Sequence, residues 1–123
     1  MSRIRSQNTS LESAVFKFLR KEKVYFRMHY RKAPGVPDIA LPEKKKAIFI
    51  DGDFWHGWRY QQRKRRIPKV YWRGKIERNI ERDRTNRRKL RRAGWAVMRI
   101  WEHQLKKNRA AMLAKIVRFL KTR

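Results

Sequence analysis

The segment AIFIDGDFWHG, residues 47–57, constrains the fold of this chain more than any other stretch. It begins with an uninterrupted apolar run, AIFI, and β-branched and aromatic residues in such a run predict a buried strand. Gly52 then allows a turn where a side chain would obstruct the backbone. The acids Asp51 and Asp53 follow at the end of this strand, where burial is costly unless a positive group lies beside them. A divalent cation is one such group, because hard cations prefer carboxylate oxygens.

The net charge of the chain points to a polyanionic partner. Its 123 residues include 36 Lys and Arg against 10 Asp and Glu, a formal net charge of +26. So large a charge destabilises a compact fold by self-repulsion, whereas a solubilising surface needs a net charge of only about 2 to 8. The charge therefore predicts binding to nucleic acid. It leaves open whether the chain is an enzyme or a non-catalytic basic binding protein.

Composition also excludes several classes of protein. Cysteine is absent, so the chain has neither a disulfide framework nor a thiolate metal site. The N-terminal residues MSRIRSQNTS lack the apolar region of a signal peptide, and no run approaches the roughly 20 apolar residues of a membrane span. We therefore expect a cytoplasmic protein with no membrane partner, and with 41% hydrophobic residues it contains enough apolar surface to fold.

Helical and strand patterns alternate along the chain in the order αβββαβα. The capping-box pattern of residues 9–12 predicts a helix start, and Gly94 suits a helix end. Apolar spacing predicts helices over 10–22, 73–93 and 108–120, and strands over 24–28, 38–41, 46–50 and 95–101. No internal repeat or second-domain boundary is visible. We expect one α/β domain over residues 1–123, with residues 1–8 as a basic arm.

Basic residues cluster where they can contact phosphates. The segment RYQQRKRR, residues 59–66, is predicted to be a loop too charged to pack against a core. The predicted DNA-contacting polar residues are Arg59, Arg63, Lys64, Arg65 and Arg66 in this segment, Arg3 and Arg5 in the N-terminal arm, and Lys75, Asn79 and Arg82 on the long helix.

The adjacent aromatics Phe54 and Trp55 permit two interpretations. They can pack in the core at the strand end, or they can insert between base pairs as apolar wedges that kink a duplex. Their glycine-flanked turn and the basic segment beside it favour the second. Trp72, at the start of the long helix, is a candidate third wedge.

Acidic residues at two predicted strands can build a catalytic centre together with a histidine. Asp38 and Asp51 lie at the ends of neighbouring predicted strands, where a carboxylate pair can bind Mg²⁺ and activate water for attack on phosphorus. His56 can deprotonate that water or position it. Simpler explanations remain: a lone Asp38 is typical of a turn, and a lone His56 more often packs or forms hydrogen bonds.

Glu12 and Asp83 have structural explanations as well. Glu12 completes a capping box, although from the first helix it can also reach the catalytic centre. Asp83 belongs to a charged run that can form surface ion pairs, although Ile80 places it on the buried side of the long helix.

Five blocks of sequence, in order, identify a family. They are MSRIRSQNT with Glu12, PGVPDIALP, AIFIDGDFWHG, WRGKIERNIERD and AGWAVMRIWEHQL. With these blocks the chain resembles, over nearly its whole length, the very-short-patch repair (Vsr-type) endonucleases, a branch of the PD-(D/E)XK nuclease fold. The resemblance implies a single domain with a mixed central sheet flanked by helices. It also implies an endonuclease that nicks one strand of duplex DNA near a T:G mismatch.

The resemblance further implies roles for individual residues. Mg²⁺, with Mn²⁺ as a substitute, would bind Asp38 and the backbone carbonyl of Ile50. His56 would be the active-site histidine, with Glu12 and Asp83 as supporting acids. Phe54, Trp55 and Trp72 match the intercalating aromatics of the family. Double-stranded DNA is the implied partner of a protein that we expect to be monomeric, and other repair proteins are not identifiable from the sequence.

Two positions depart from the family pattern. Many members have a histidine at the position of Asp51, which leaves two roles for this acid: a replacement for the histidine, or a direct metal ligand. Many members also bind structural zinc through several cysteines and a histidine, and Asp53 stands at one of those positions. We therefore expect no structural zinc. Related nuclease domains in homing endonucleases and mobile elements leave cleavage without mismatch recognition as an alternative.

Overall fold

A computed structural model describes residues 10–67 and 69–122. Four strands form one mixed sheet in the order β1-β2-β3-β4, with the first three antiparallel and β4 parallel to β3. The predicted α/β class and the predicted order αβββαβα are confirmed, with two short helices added. The elements are α1 (Ser10–Lys21), β1 (Arg27–Met28), β2 (Ile39–Leu41), β3 (Lys46–Asp51), α2 (Tyr60–Arg63), α3 (Val70–Arg92), β4 (Ala96–Trp101), α4 (Glu102–Lys107) and α5 (Arg109–Lys121).

The structure differs from the predicted secondary structure in three places. The strand predicted over 24–28 pairs with its neighbour only at Arg27–Met28. The chain leaves α1 through a left-handed turn at Lys23, and Val24 and Phe26 pack on the core without joining the ladder. The segment predicted as an unpacked loop forms α2 and a 3₁₀ turn over Lys64–Arg66, because Tyr60 is buried and anchors it. Helix α4 was not predicted, because its six residues are too few to show helical periodicity.

The sheet buries different residues on its two faces. Ile48 of β3 packs in a cluster with Val15 and Leu19 of α1 and Ile116 of α5, so these helices cover one face. Ala47, one residue earlier, packs with Leu90 of α3 on the opposite face. Because side chains alternate along a strand, Asp51 and Arg99 extend toward the face that α3 covers. This alternation brings polar groups of β3, β4 and α3 together.

No helix in the part of the chain that the structure describes is long and apolar enough to cross a bilayer.

Candidate active site

One cluster of metal-ligating groups joins the first helix to the first hairpin. Glu12 of α1, His29 after β1 and Asp38 before β2 each offer a ligand atom, and these atoms lie within 4.8 Å of one another. His29 Nε2 lies 3.3 Å from Glu12 Oε2 and 3.8 Å from Asp38 Oδ1. Glu12 is buried, so it does more than complete a cap; its proposed cap partner, Thr9, lies outside the described residues.

The environment of Asp38 disfavours the ionised form of its carboxyl group. Burial and a hydrogen bond with the Glu12 side chain raise the pKa of Asp38 to about 9, although the backbone N–H of Ile50 partly opposes this shift. That N–H donates to Asp38 Oδ2 at 2.7 Å. Two carboxyl groups in a buried site repel each other when both are ionised, so a cation between them would favour the ionised forms.

The donor set around Asp38 fits a divalent cation. His29 Nε2 is buried, has no hydrogen-bond partner among the described residues and faces the Glu12 and Asp38 carboxylates. Two carboxylates and an imidazole nitrogen are a donor set that transition metals such as Mn²⁺ accept, whereas Mg²⁺ prefers oxygen. Sequence reasoning missed His29. The available signal was a histidine at the end of a predicted strand that precedes the Pro-Gly loop of Asp38.

A second cluster lies on the face that α3 covers. His56 Nδ1 lies 2.6 Å from Asp83 Oδ2 and 3.7 Å from Asp51 Oδ1. Arg99 joins the two acids, with Nε 2.6 Å from Asp51 Oδ2 and Nη2 3.5 Å from Asp83 Oδ2. The guanidinium also stacks on Trp101, 4.1 Å from the ring centroid. Sequence reasoning missed Arg99, although a charged residue in the middle of an apolar strand was a usable signal.

This second cluster favours a protonated imidazole on His56. Burial by itself lowers the pKa of His56, but the hydrogen bond to Asp83 and the charge of Asp51 outweigh burial and raise it. A protonated His56 can donate to a phosphate oxygen or to a leaving group. Asp83 pairs with His56 and Arg99 in this cluster, so it does not form the surface ion pair that its charged run suggested.

The two clusters open into one cleft of about 350 Å³. Its walls include Asp38, Ile50, Asp51, His56 and Asp83, so the catalytic residues predicted from sequence converge, with Glu12 behind Asp38. Asp38 and Asp51 belong to separate clusters, however. Asp51 pairs with Arg99, and its ligand atoms lie within 4.8 Å of those of His56 and Asp83, so this second cluster could also hold a cation. Binding of one ion by Asp38 and Asp51 together stays a prediction.

The predicted wedge residues lie beside this cleft. Phe54 is 40% exposed and contacts Trp55 edge-on at 4.8 Å, and Trp55 in turn lies 5.2 Å from Trp72. Trp55 and Trp72 pack on a small core, which leaves Phe54 as the exposed ring among the three predicted wedges. Gly57 lets this loop lie on α3, since its φ is +77° and a Cβ there would come within 2.4 Å of the Ile80 side chain.

Polar residues of α3 hold the same loop. Asn79 Nδ2 donates to Trp55 O at 2.9 Å, and Arg82 donates to Asn79 Oδ1 at 2.7 Å. Asn79 is buried, and its amide positions the loop in the free chain, so its contact with DNA stays a prediction. Lys75 Nζ lies 5.4 Å from the centroid of the Trp55 ring.

The predicted basic contacts divide into three groups. Lys64, Arg65 and Arg66 are exposed, as expected for phosphate contacts. Arg59 stacks on Trp58 at 4.6 Å, and half-buried Arg63 donates to Trp58 O at 3.5 Å, so these two also shape the loop. Arg3 and Arg5 lie outside the described residues.

Asp53 connects the loop after β3 to the start of α4. Its Oδ1 lies 3.0 Å from His103 Nδ1, and its backbone N–H donates to Glu102 Oε1 at 3.1 Å. Trp58 packs against the His103 ring, with ring centroids 4.1 Å apart and planes tilted by 40°. Hydrogen bonds and ring packing therefore tie the loop to the start of α4.

Comparison with known proteins agrees with the chemistry of this cleft. The family described as DNA mismatch endonuclease Vsr matches residues 1–62. A type II nicking enzyme of Neisseria meningitidis serogroup C is 36% identical over 114 residues, which cover 91% of this chain and 77% of that enzyme. The DNA mismatch endonuclease Vsr of Escherichia coli is 32% identical over 109 residues, covering 86% and 69%. The chain belongs to the Vsr family of DNA mismatch endonucleases.

Proposed function

We propose that this chain is a Mg²⁺-dependent endonuclease that nicks one strand of duplex DNA beside a T:G mismatch, with Mn²⁺ as a substitute for Mg²⁺. The observation that carries the proposal is the cleft in which the buried Asp38 cluster faces the His56 cluster. The named activities of the relatives, DNA mismatch cleavage and nicking, support the same chemistry. The chain acts as a monomer in the cytoplasm and folds as one domain over residues 1–123.

The residues around Asp38 would hold the metal ion. Asp38 and the backbone carbonyl of Ile50 are the proposed ligands, and Glu12 and His29 would complete the surroundings of the ion. A bound divalent cation neutralises the charge that develops on the phosphoryl group and lowers the pKa of a coordinated water. Glu12 lies beside Asp38 in the same cluster, so its carboxylate would add negative charge to the site that holds the ion.

The residues around His56 act on the other side of the scissile phosphate. Asp83 fixes the ring of His56 through Nδ1, which leaves Nε2 as the edge that faces the substrate. A protonated His56 then donates a hydrogen bond to a phosphate oxygen, or its proton to the leaving 3′ oxygen. Arg99 is held by Asp51 and Asp83, so its charge is fixed before the substrate binds.

Phe54 supplies mismatch selectivity. An exposed ring on a loop that Asn79 and Asp53 hold in place can enter the base stack without reorganisation. A T:G mismatch lowers the cost of unstacking relative to a matched pair, so insertion favours the mismatched site. Trp55 and Trp72 support Phe54 from behind.

A cleavage panel with Mg²⁺ tests this function. Purified protein is incubated with a matched duplex, the same duplex carrying T:G, and the corresponding single strand. We expect a nick in one strand of the T:G duplex. Equal nicking of matched and T:G duplexes would replace mismatch recognition with sequence-specific or structure-specific cleavage. Intact duplexes and intact supercoiled plasmid would instead reduce the chain to a non-catalytic binding protein.

A further inference from the structure

The C-terminal half of α3 presents a face of arginines that the proposed catalytic cycle does not use. Arg84, Arg87, Arg88, Arg91 and Arg92 line one groove of about 470 Å³. Their spacing of three and four residues places them on one side of the helix. This groove contains none of the residues assigned to metal binding, proton transfer or base insertion.

The charge on this face is costly to the free protein. Arg84 and Arg88, Arg87 and Arg91, and Arg88 and Arg92 are like-charged pairs four residues apart, and each such pair destabilises a helix by about 0.2 to 0.5 kcal/mol. Among the described residues, the one ion pair of this face joins Arg84 to exposed Glu81 at 3.7 Å. Such repulsion is relieved when a polyanion binds.

One arginine connects the groove to the catalytic cleft. Arg87 lines the groove and also lines a small pocket together with Asp51, Asp83 and Asn86. Those three residues belong to the wall of the catalytic cleft as well. A DNA strand whose scissile phosphate occupies the cleft therefore has a continuous basic path from His56 past Arg87 to Arg92.

We propose that this arginine face is a phosphate track for the DNA backbone on one side of the scissile phosphate. From Arg84 to Arg92 the helix rises about 12 Å, which corresponds to roughly three phosphates of one strand of duplex DNA. Bidentate guanidinium groups suit phosphate oxygens, and none of these contacts reads a base. The proposal rests on the nuclease function, because the cleft defines where the track begins.

A charge-matched pair of variants tests the track through binding. The track variant carries R88Q, R91Q and R92Q, and Arg87 is left intact because it borders the cleft. The control variant carries R109Q, K115Q and R118Q, which removes the same charge from exposed positions of α5 on the opposite face of the sheet. Circular dichroism and the Tm of each variant establish that both are folded.

Binding to a duplex of about two helical turns is measured by fluorescence anisotropy without divalent metal, between about 50 and 200 mM NaCl. We expect the track variant to lower the slope of log K against log[salt] by about 2 to 3, and to raise Kd at least about 10-fold near 100 mM salt. The control should change the slope by less than about one. Equal losses in the two variants, or no loss in either, would overturn the proposal.

Shortening the duplex from each end locates the track. Removing base pairs on one side of the mismatch should abolish the difference in Kd between wild type and the track variant, while removal on the other side should preserve it. Symmetric behaviour, or a loss seen equally on single-stranded DNA or RNA, would contradict a backbone track for one duplex arm. These binding measurements need no cleavage. If the wild-type protein binds duplex DNA but does not nick it, the proposed nuclease function is wrong, and the phosphate track can still be tested by binding.

Discussion

Arg99 Nε donates to Asp51 Oδ2 at 2.6 Å, which joins the carboxylate at the end of β3 to the guanidinium of the adjacent β4. The resemblance to the family implies a histidine at this position in many members, and the ion pair is an arrangement that a histidine could not form. Asp51 neutralises and orients Arg99, and through His56 it belongs to the proton-handling side of the cleft. We infer that it positions Arg99 and His56. Its predicted role as a metal ligand stays a prediction, because the ligand atoms of Asp51, His56 and Asp83 also lie within 4.8 Å of one another.

Restoring histidine at this position should not improve the enzyme. In Asp51→His, Arg99 loses its closest carboxylate, and two further imidazole nitrogens lie beside its positive charge. We expect nicking to fall at least about 10-fold and the free energy of unfolding to fall by roughly 1 to 3 kcal/mol. Single-turnover nicking and urea denaturation measure the two effects. A variant with wild-type stability and higher activity would show that Asp51 merely occupies the place of the histidine.

The stability of the metal-free protein should depend on the ionisation of Asp38. Its pKa rises from 3.8 to about 9 on folding, so between these values the folded state retains a proton that the unfolded chain has released. The free energy of unfolding therefore decreases as pH rises across this range. Asp38→Asn should remove most of this pH dependence and abolish nicking, while duplex binding persists.

The test of this ionisation is a Tm measured at several pH values in the presence of EDTA. Exposed Glu43→Gln is the control and should follow the wild type. Added Mg²⁺ should raise the wild-type Tm more at high pH than at low pH, because the ion takes the place of the proton. A wild-type Tm that increases steadily from pH 5 to pH 8 in EDTA would contradict the assignment.

His29 should distinguish two metals. Its unsatisfied nitrogen is a good ligand for Mn²⁺ and a poor one for Mg²⁺. We expect His29→Gln to weaken Mn²⁺ binding about 10-fold or more, with a much smaller effect on Mg²⁺. Electron paramagnetic resonance of free Mn²⁺ and competition by Mg²⁺ measure both affinities. His103→Gln, away from the cleft, is the control, and equal weakening of the two metals in His29→Gln would exclude a direct nitrogen ligand.

Phe54 should carry the contact with the base stack. Phe54→Ala should raise Kd for the T:G duplex roughly 5- to 150-fold, because stacking of one base on an aromatic ring contributes about 1 to 3 kcal/mol. The fluorescence of 2-aminopurine next to the mismatch reports unstacking and should no longer increase on binding. Tyr25→Ala removes a ring that is 77% exposed outside this loop and should behave as wild type. Unchanged 2-aminopurine fluorescence with the wild-type protein would show that no ring is inserted.

The sequence by itself determined the order of the main elements, the α/β class and the family. Periodicity reports which residues share a face of one helix or strand, and five motif blocks are specific enough to identify a nuclease family. The acids and the histidine that line the cleft were also identifiable, because polar groups at the ends of apolar strands are costly without a partner.

Only the tertiary structure decided how these groups are shared between two clusters. Arg99 and Asp51 are 48 positions apart, and no local pattern reports that parallel pairing of β3 and β4 brings them together. His29 became visible because the hairpin of β1 and β2 places it beside Asp38, where its nitrogen is buried without a partner. The support that Asn79 gives to the loop was likewise visible only in the structure, since burial and hydrogen-bond partners depend on contacts between distant segments.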